Sequence, residues 1–284
     1  HLIATQAVIF AIFAFASIAV RGDVLSLTVY NSTACSKARA VAADPFFTSG
    51  SAAVACEQGV VQFTGSASRL LASSSLSVCP SPFAVHVLRS TGNLLVLCQG
   101  ANVDADITPR LLHIMANGTI QTLLWRSQCA TPIDLDAVEA TNGNDTAFVA
   151  CNSDNNIVSV DLSSGAVRNW STNCTQSRAV AYLTADAIVA ICNQFTAPAL
   201  VLVHSNRTVQ QLWADCGENS LTTISFNRTH RYVIAFCKLN FSVRKLFLIH
   251  SNLTVGTFYS ATSCTLLGAG GLAVSSDKSL LAMA

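Results

Sequence analysis

Charge is scarce in this sequence. Asp, Glu, Lys and Arg make up 11% of the 284 residues, and 16 basic against 15 acidic side chains leave a formal net charge of +1. So little charge beside 51% hydrophobic residues excludes a solvated, disordered segment. It also excludes the polycationic face that nucleic-acid backbones require, so nucleic acid is not expected as a partner. Motifs of common chemistries are missing too: there is no Walker loop, no G-x-S-x-G elbow, no H-E-x-x-H and no zinc-type C-x-x-C. That absence lowers the expectation of an enzyme without removing it, because sites can be assembled from single residues on several repeats. No helix-period stretch is found after the first 20 residues. The chain is long enough for one sizeable core, or at most two domains.

An unbroken apolar run, AVIFAIFAFASIAV, extends from Ala7 to Val20. It is shorter than the roughly 20 residues a membrane span needs, and Ala14, Ala16 and Ala19 offer A-x-A-like cleavage options. Residues 1–19 are therefore expected to be a secretory signal peptide, and residues 20–284 the folded domain. No basic n-region precedes the run, so the signal is expected to start upstream of His1; a signal anchor is the alternative. Asparagine context points the same way. The pattern N-x-[ST] occurs at Asn31, Asn117, Asn144, Asn169, Asn173, Asn206, Asn227, Asn240 and Asn252, nine of 17 asparagines, more than chance would give. These read as N-glycosylation sites of a secretory pathway; ordinary turn chemistry is the bland alternative.

Eleven cysteines recur in pairs, with separations of 21, 19, 22, 18 and 21 residues within pairs. The first members, Cys35, Cys79, Cys129, Cys174, Cys216 and Cys264, recur every 44, 50, 45, 42 and 48 residues, the period of four-stranded propeller blades. An aromatic precedes most of them: Tyr30, Trp125, Trp170, Trp213 and Tyr259. Upstream of each aromatic lies an alternating strand, a polar turn and a second strand, as in LVLVHSNRTVQQLW. In three of these hairpins the sequons Asn117, Asn206 and Asn252 occupy the turn. Between paired cysteines lies another hairpin, whose two ends come within disulfide reach. The expected disulfides are Cys35–Cys56, Cys79–Cys98, Cys129–Cys151, Cys174–Cys192 and Cys216–Cys237; reduced cysteine as a small core residue is the alternative. The partner of Cys264 falls due near Ala284, so the sequence is expected to stop inside a sixth repeat.

The expected fold is thus all-β: a β-propeller of six four-stranded blades, each sheet covered on both faces, which accounts for the apolar composition. VLSLTVY, Val24 to Tyr30, is expected to complete the last blade and close the ring. FVACNSDNNIVSVDLSSGAV, Phe148 to Val167, resembles the repeat of YVTN-type propellers, with its Asn turn, V-S-V strand and D-x-x-[ST]-G turn, and is similar to the wider NHL and streptogramin-lyase-like group. The resemblance implies a propeller used for binding or, in some members, for lyase, lactonase or quinoprotein chemistry. The paired cysteines depart from the usual YVTN pattern.

Propeller sites lie at the mouth of the central channel. Aligning the innermost strands on an x-A-V core puts Arg39, Phe83, Asp136 and Arg178 at equivalent positions, with Thr222 and Leu272 in the last two repeats and Asp134 two residues before Asp136. Arg39, Asp136 and Arg178 could bind an anionic ligand, or the charges could neutralise one another. His86 lies on an innermost strand, and with Asp134 and Asp136 it forms the candidate acid/base set. His204 and His250 recur in matched turns and read as turn residues. The insertion ANVDADITPR places Asn102, Asp104, Asp106 and Thr108 at alternate positions, an oxygen set that a hard cation could use. Against calcium, Ile107 stands where a glycine is needed and His113 where a closing glutamate is needed. No cofactor is expected; a divalent cation is the open possibility. The leading reading is a secreted binding module for an extracellular protein or small ligand. The alternatives are a lyase- or lactonase-type enzyme at the channel mouth and the ectodomain of a membrane-anchored protein.

Overall fold

The computed structural model describes residues 14–21, 24–31, 35, 40–43, 51–57, 59–64, 67–73, 79, 81–88, 90–99, 109–125, 127–140, 145–152, 154, 156–170, 176–194, 197–213, 219–225, 231–238, 244–261, 272–274 and 281–283. Strands and turns account for all of their regular structure, with no helix among them.

A hairpin of β1 (Ala14–Arg21) and β2 (Val24–Asn31) comes first. Five antiparallel sheets follow, each made of four strands consecutive in sequence. Sheet 1 holds β3 (Ala40–Ala43), β4 (Ser51–Cys56), β5 (Gly59–Thr64) and β6 (Ala67–Ser73). Sheet 2 holds β7 (Pro82–Val87), β8 (Leu94–Cys98), β9 (Pro109–Ile114) and β10 (Ile120–Trp125). Sheet 3 holds β11 (Pro132–Val138), β12 (Thr146–Cys151), β13 (Asn156–Asp161) and β14 (Val167–Asn169). Sheet 4 holds β15 (Ser177–Thr184), β16 (Ala187–Gln194), β17 (Ala197–His204) and β18 (Val209–Trp213). Sheet 5 holds β19 (Asn219–Ser225), β20 (Arg231–Lys238), β21 (Arg244–His250) and β22 (Val255–Ala261). A last hairpin pairs β23 (Leu272–Val274) with β24 (Leu281–Met283). Part of the apolar run near the start of the chain is thus strand β1, and Val24–Tyr30 pairs with it, Val20 standing opposite Leu25.

First strands of successive sheets are neighbours: β3 lies against β7, β7 against β11, β11 against β15, β15 against β19 and β19 against β23. Side-chain alternation then does the packing, because a strand sends successive residues to opposite faces. On β8, Leu95 and Leu97 face sheet 3, while Leu94, Val96 and Cys98 face sheet 1. On β12, Ala147, Val149 and Cys151 face sheet 2, while Phe148 and Ala150 face sheet 4. On β16, Ile188, Ala190 and Cys192 face sheet 3, while Ala187, Val189 and Ile191 face sheet 5. The cores are therefore seams between sheets. Each wholly buried Leu, Ile or Val contributes about 1.5–3 kcal/mol. Trp170 closes the seam between sheets 3 and 4, its ring 5.8 Å from that of Phe148 and its indole N–H donating to Ser159 Oγ at 3.0 Å.

The outer hairpins of sheets 2, 4 and 5 share one turn. The N–H of Met115, His204 and His250 donates to the carbonyl of Thr119, Thr208 and Thr254 at 2.8, 2.9 and 2.9 Å, and the N–H of Gly118, Arg207 and Leu253 donates back to Met115, His204 and His250. This three-residue turn holds its last residue in the left-handed region, with φ of 89° at Gly118, 71° at Arg207 and 67° at Leu253. Glycine takes that conformation freely; other residues lose roughly 1–2 kcal/mol. Leu253→Gly is therefore expected to stabilise the protein by up to about 1 kcal/mol, read as a higher midpoint in chemical denaturation. An unchanged or lower midpoint would show that the leucine side chain compensates for its backbone.

Candidate functional site

Disulfides Cys35–Cys56, Cys79–Cys98 and Cys129–Cys151 form as their spacing predicts, with Cα–Cα distances of 5.4, 5.3 and 5.4 Å. Each joins the last residue of its sheet's second strand to the connector that leads into the first strand. Cys192 is also disulfide-bonded; its expected partner Cys174 lies outside the described residues, as do Cys216 and Cys264. Cys237 ends opposite Asn219 in the ladder.

At the disulfide end, the first strands of sheets 2, 3 and 4 carry the same irregularity. Pro82, Pro132 and Ser177 pair with the second cysteine, and the ladder then shifts by one residue before Ala84, Asp134 and Ala179. Phe83, Ile133 and Arg178 are the extra residues of these bulges, so they are equivalent. This corrects the alignment on the x-A-V core: Asp136 stands opposite Phe148, three residues before its cysteine, as His86 stands opposite Leu95 and Thr222 opposite Ile234. Asp136 and Thr222 thus belong with His86, not with Phe83 and Arg178. The slip is three residues in sequence, from Ile133 to Asp136, and it arises because an alignment on sequence alone does not see the extra residue that each bulge inserts.

Asp134 and Asp136 reach across to sheet 4. The N–H of Val180 donates to Asp134 Oδ2 at 2.9 Å, and the N–H of Tyr182 donates to Asp136 Oδ2 at 2.7 Å. Both donors lie on β15, which pairs with a strand of its own sheet on one side only, so the carboxylates satisfy backbone groups the ladder leaves open. Burial pushes the Asp134 carboxyl up to about 7; the neighbouring Asp136 adds to the rise, and the Val180 and Leu135 N–H groups oppose it. His86 Nδ1 lies 4.0 Å from Asp136 Oδ1, with the histidine side chain 31% and the aspartate 10% exposed. The structure therefore brings His86, Asp134 and Asp136 together across sheets 2, 3 and 4. It does not join them to Arg178, which is exposed and forms no ion pair among the described residues. Arg39, Asn102, Asp104 and Asp106 lie outside the described residues.

A second cluster at the opposite end escaped sequence reasoning. His113 is buried on β9, its Nε2 3.1 Å from Asn93 Nδ2 and its Nδ1 without a hydrogen-bond partner among the described residues. Burial lowers its pKa, and Asp145 of sheet 3 opposes that shift. Beside it the Ser90 N–H donates to Glu139, another link between sheets 2 and 3. An apolar strand, PRLLHI, gave no sign that its histidine would face the next sheet's turn.

Three solved structures share this arrangement. An auxiliary nutrient binding protein from Bacteroides ovatus superposes with a TM-score of 0.55 at 10% identity, over 86% of this chain and 65% of that one. A candidate 6-phosphogluconolactonase from Bacteroides uniformis gives 0.54 at 10% identity, over 90% and 80%. The WD40 repeats of RRP9 give 0.52 at 10% identity, over 86% and 86%. The fold is a β-propeller. No protein-family model matches the chain, and no curated protein matches it. At these identities the likeness concerns the fold alone.

His86, Asp134 and Asp136 all lie on first strands, the strands by which successive blades neighbour one another. Among the described residues, the group whose ligand atoms lie close enough together for a metal ion is Cys129, Cys151 and Asp154, all within 4.8 Å. Those sulfurs are joined to each other, and Asp154 Oδ2 accepts the Ala130 N–H at 2.6 Å, so the group is a braced disulfide rather than a metal centre. Three disulfides in one propeller fit an oxidising, extracellular setting.

Proposed function

We propose that this chain is a secreted, disulfide-stapled and N-glycosylated propeller of six blades that works as a binding module, presenting connector loops from a rigid ring to an extracellular protein or small ligand. One observation carries the reading: each described disulfide ties down a connector at the same end of its blade, beside the innermost strand. Loops held in this way lose less freedom on binding. The two aspartates support it, since each holds the edge of the next blade.

A lactonase-type reading draws on His86 beside Asp136 and on the high proton affinity of Asp134, a pairing suited to acid/base work. Hydrolysis of gluconolactone by the purified protein at neutral pH separates the two. The binding reading expects the uncatalysed rate, unchanged in Asp136→Asn and His86→Gln. Turnover that falls at least tenfold in both variants would overturn it in favour of the enzyme. Elemental analysis of the dialysed protein addresses the divalent cation, and a stoichiometric ion lost in Asp134→Asn would favour the enzyme as well.

A further inference from the structure

Nine sequons are equal as text but not as structure. Asn117, Asn206 and Asn252 occupy the same place in the outer-hairpin turns of blades 2, 4 and 5, directly before the left-handed residue. All three are exposed, as are Thr119, Thr208 and Thr254 two residues on. In each turn the asparagine Oδ1 accepts the threonine N–H, at 2.9, 3.0 and 3.1 Å. Thr208 and Thr254 add their hydroxyls to the same oxygen, both at 2.7 Å. The amide oxygen is thus engaged, while the amide nitrogen makes no hydrogen bond among the described residues. Asn169 differs: it pairs with Val158 in the ladder, and the residue after it is the buried Trp170.

We propose that Asn117, Asn206 and Asn252 are three occupied N-glycosylation sites, one at the outer-hairpin tip of each of three blades, all at the end away from the disulfides. The proposal rests on the export reading and deepens it by naming which sequons carry sugar. Placement at one end follows from the meander: the turn between first and second strands and the turn between third and fourth lie together, opposite the end where the second strand meets its cysteine. In the reaction, the asparagine Nδ2 forms a bond to the anomeric carbon of a polyprenyl-pyrophosphate-linked oligosaccharide. The bond from that carbon to the pyrophosphate oxygen breaks, its electron pair leaves with the lipid pyrophosphate, and one amide proton is released. Sugars there would cover these tips and direct a protein partner to other parts of the surface.

The protein is expressed in eukaryotic cells in two forms, a native form from its natural reading frame including whatever precedes His1 and a form of this chain behind a heterologous cleavable leader, and peptides are mapped by mass spectrometry with and without peptide N-glycosidase. The leader form decides the sites: conversion of Asn117, Asn206 and Asn252 to aspartate by the glycosidase is the expected result, and any of the three found bare in the folded, secreted protein overturns its assignment. Thr119→Ala, Thr208→Ala and Thr254→Ala should each remove one glycan step on a gel. Arg207→Gly, which keeps the sequon, should remove none. The native form tests export separately: a chain left in the cytosol with reduced cysteines overturns the export reading and, with it, the presence of these sugars on the natural protein, whatever the leader form shows.

Discussion

Asp134→Asn is expected to stabilise the protein at pH 8 and to leave it nearly unchanged at pH 4. In the fold the Asp134 carboxyl holds its proton up to about pH 7, against an ordinary value of 3.8 in an unfolded chain. Between these limits the folded state carries a proton that the unfolded state has released, so stability falls as pH rises through the window and the loss is complete above it. At one pKa unit per 1.36 kcal/mol, the penalty at high pH is on the order of 2–4 kcal/mol. Asparagine keeps an oxygen for the Val180 N–H and cannot ionise, so the variant should gain that amount at pH 8. Asp134→Ala removes the acceptor as well and should lose about 1–3 kcal/mol at low pH, the penalty of a stranded N–H. Urea denaturation from pH 4 to 8 measures all three proteins. A parent curve with no decline between pH 4 and 7 would show that Asp134 ionises without hindrance.

Removing the Cys129–Cys151 disulfide by paired substitution to alanine is expected to cost about 3 kcal/mol, the chain-entropy value for a loop of this size. The bridge spans 22 residues, and both cysteines are fully buried against sheet 2 in the seam with Leu95, Leu97 and Leu111. The double variant therefore loses packing as well as a constraint. Its amides in blades 2 and 3 should exchange faster, while those of blade 5 change little. A uniform increase over all blades, or none, would contradict a seam-by-seam fold. Reducing agent should reproduce the effect only under partial denaturation, since the sulfurs are shielded from solvent.

Much of this architecture was legible beforehand. Paired cysteines at alternating spacing marked the ends of inner hairpins, because a bridge and a hairpin both require the chain to return. The D-x-S-S-G turn announced itself as well: Asp161 Oδ1 accepts N–H and O–H from both Ser163 and Ser164, which together draw its pKa down to about 2. What escaped sequence reading was relational. That Asp134 and Asp136 serve a neighbouring blade follows from which edge faces which side chain, and no local pattern records it. The repeated aromatic misleads for a similar reason. Trp170 is buried, but Trp125 at the corresponding place is 41% exposed, because register shifts at Thr122/Leu124 and Leu124/Trp125 re-aim the end of β10.

Sheets packed on two faces against two different partners have no interior of their own. Their cohesion resembles that of a row of books, in which each volume stands because of those beside it and a gap is felt first by its immediate neighbours. A lesion in Val149 or Leu97 would loosen one joint, and the disturbance would weaken with every further blade it had to cross. Evolution can accordingly rework one segment of such a ring, with its connector loops, while the far side keeps its shape.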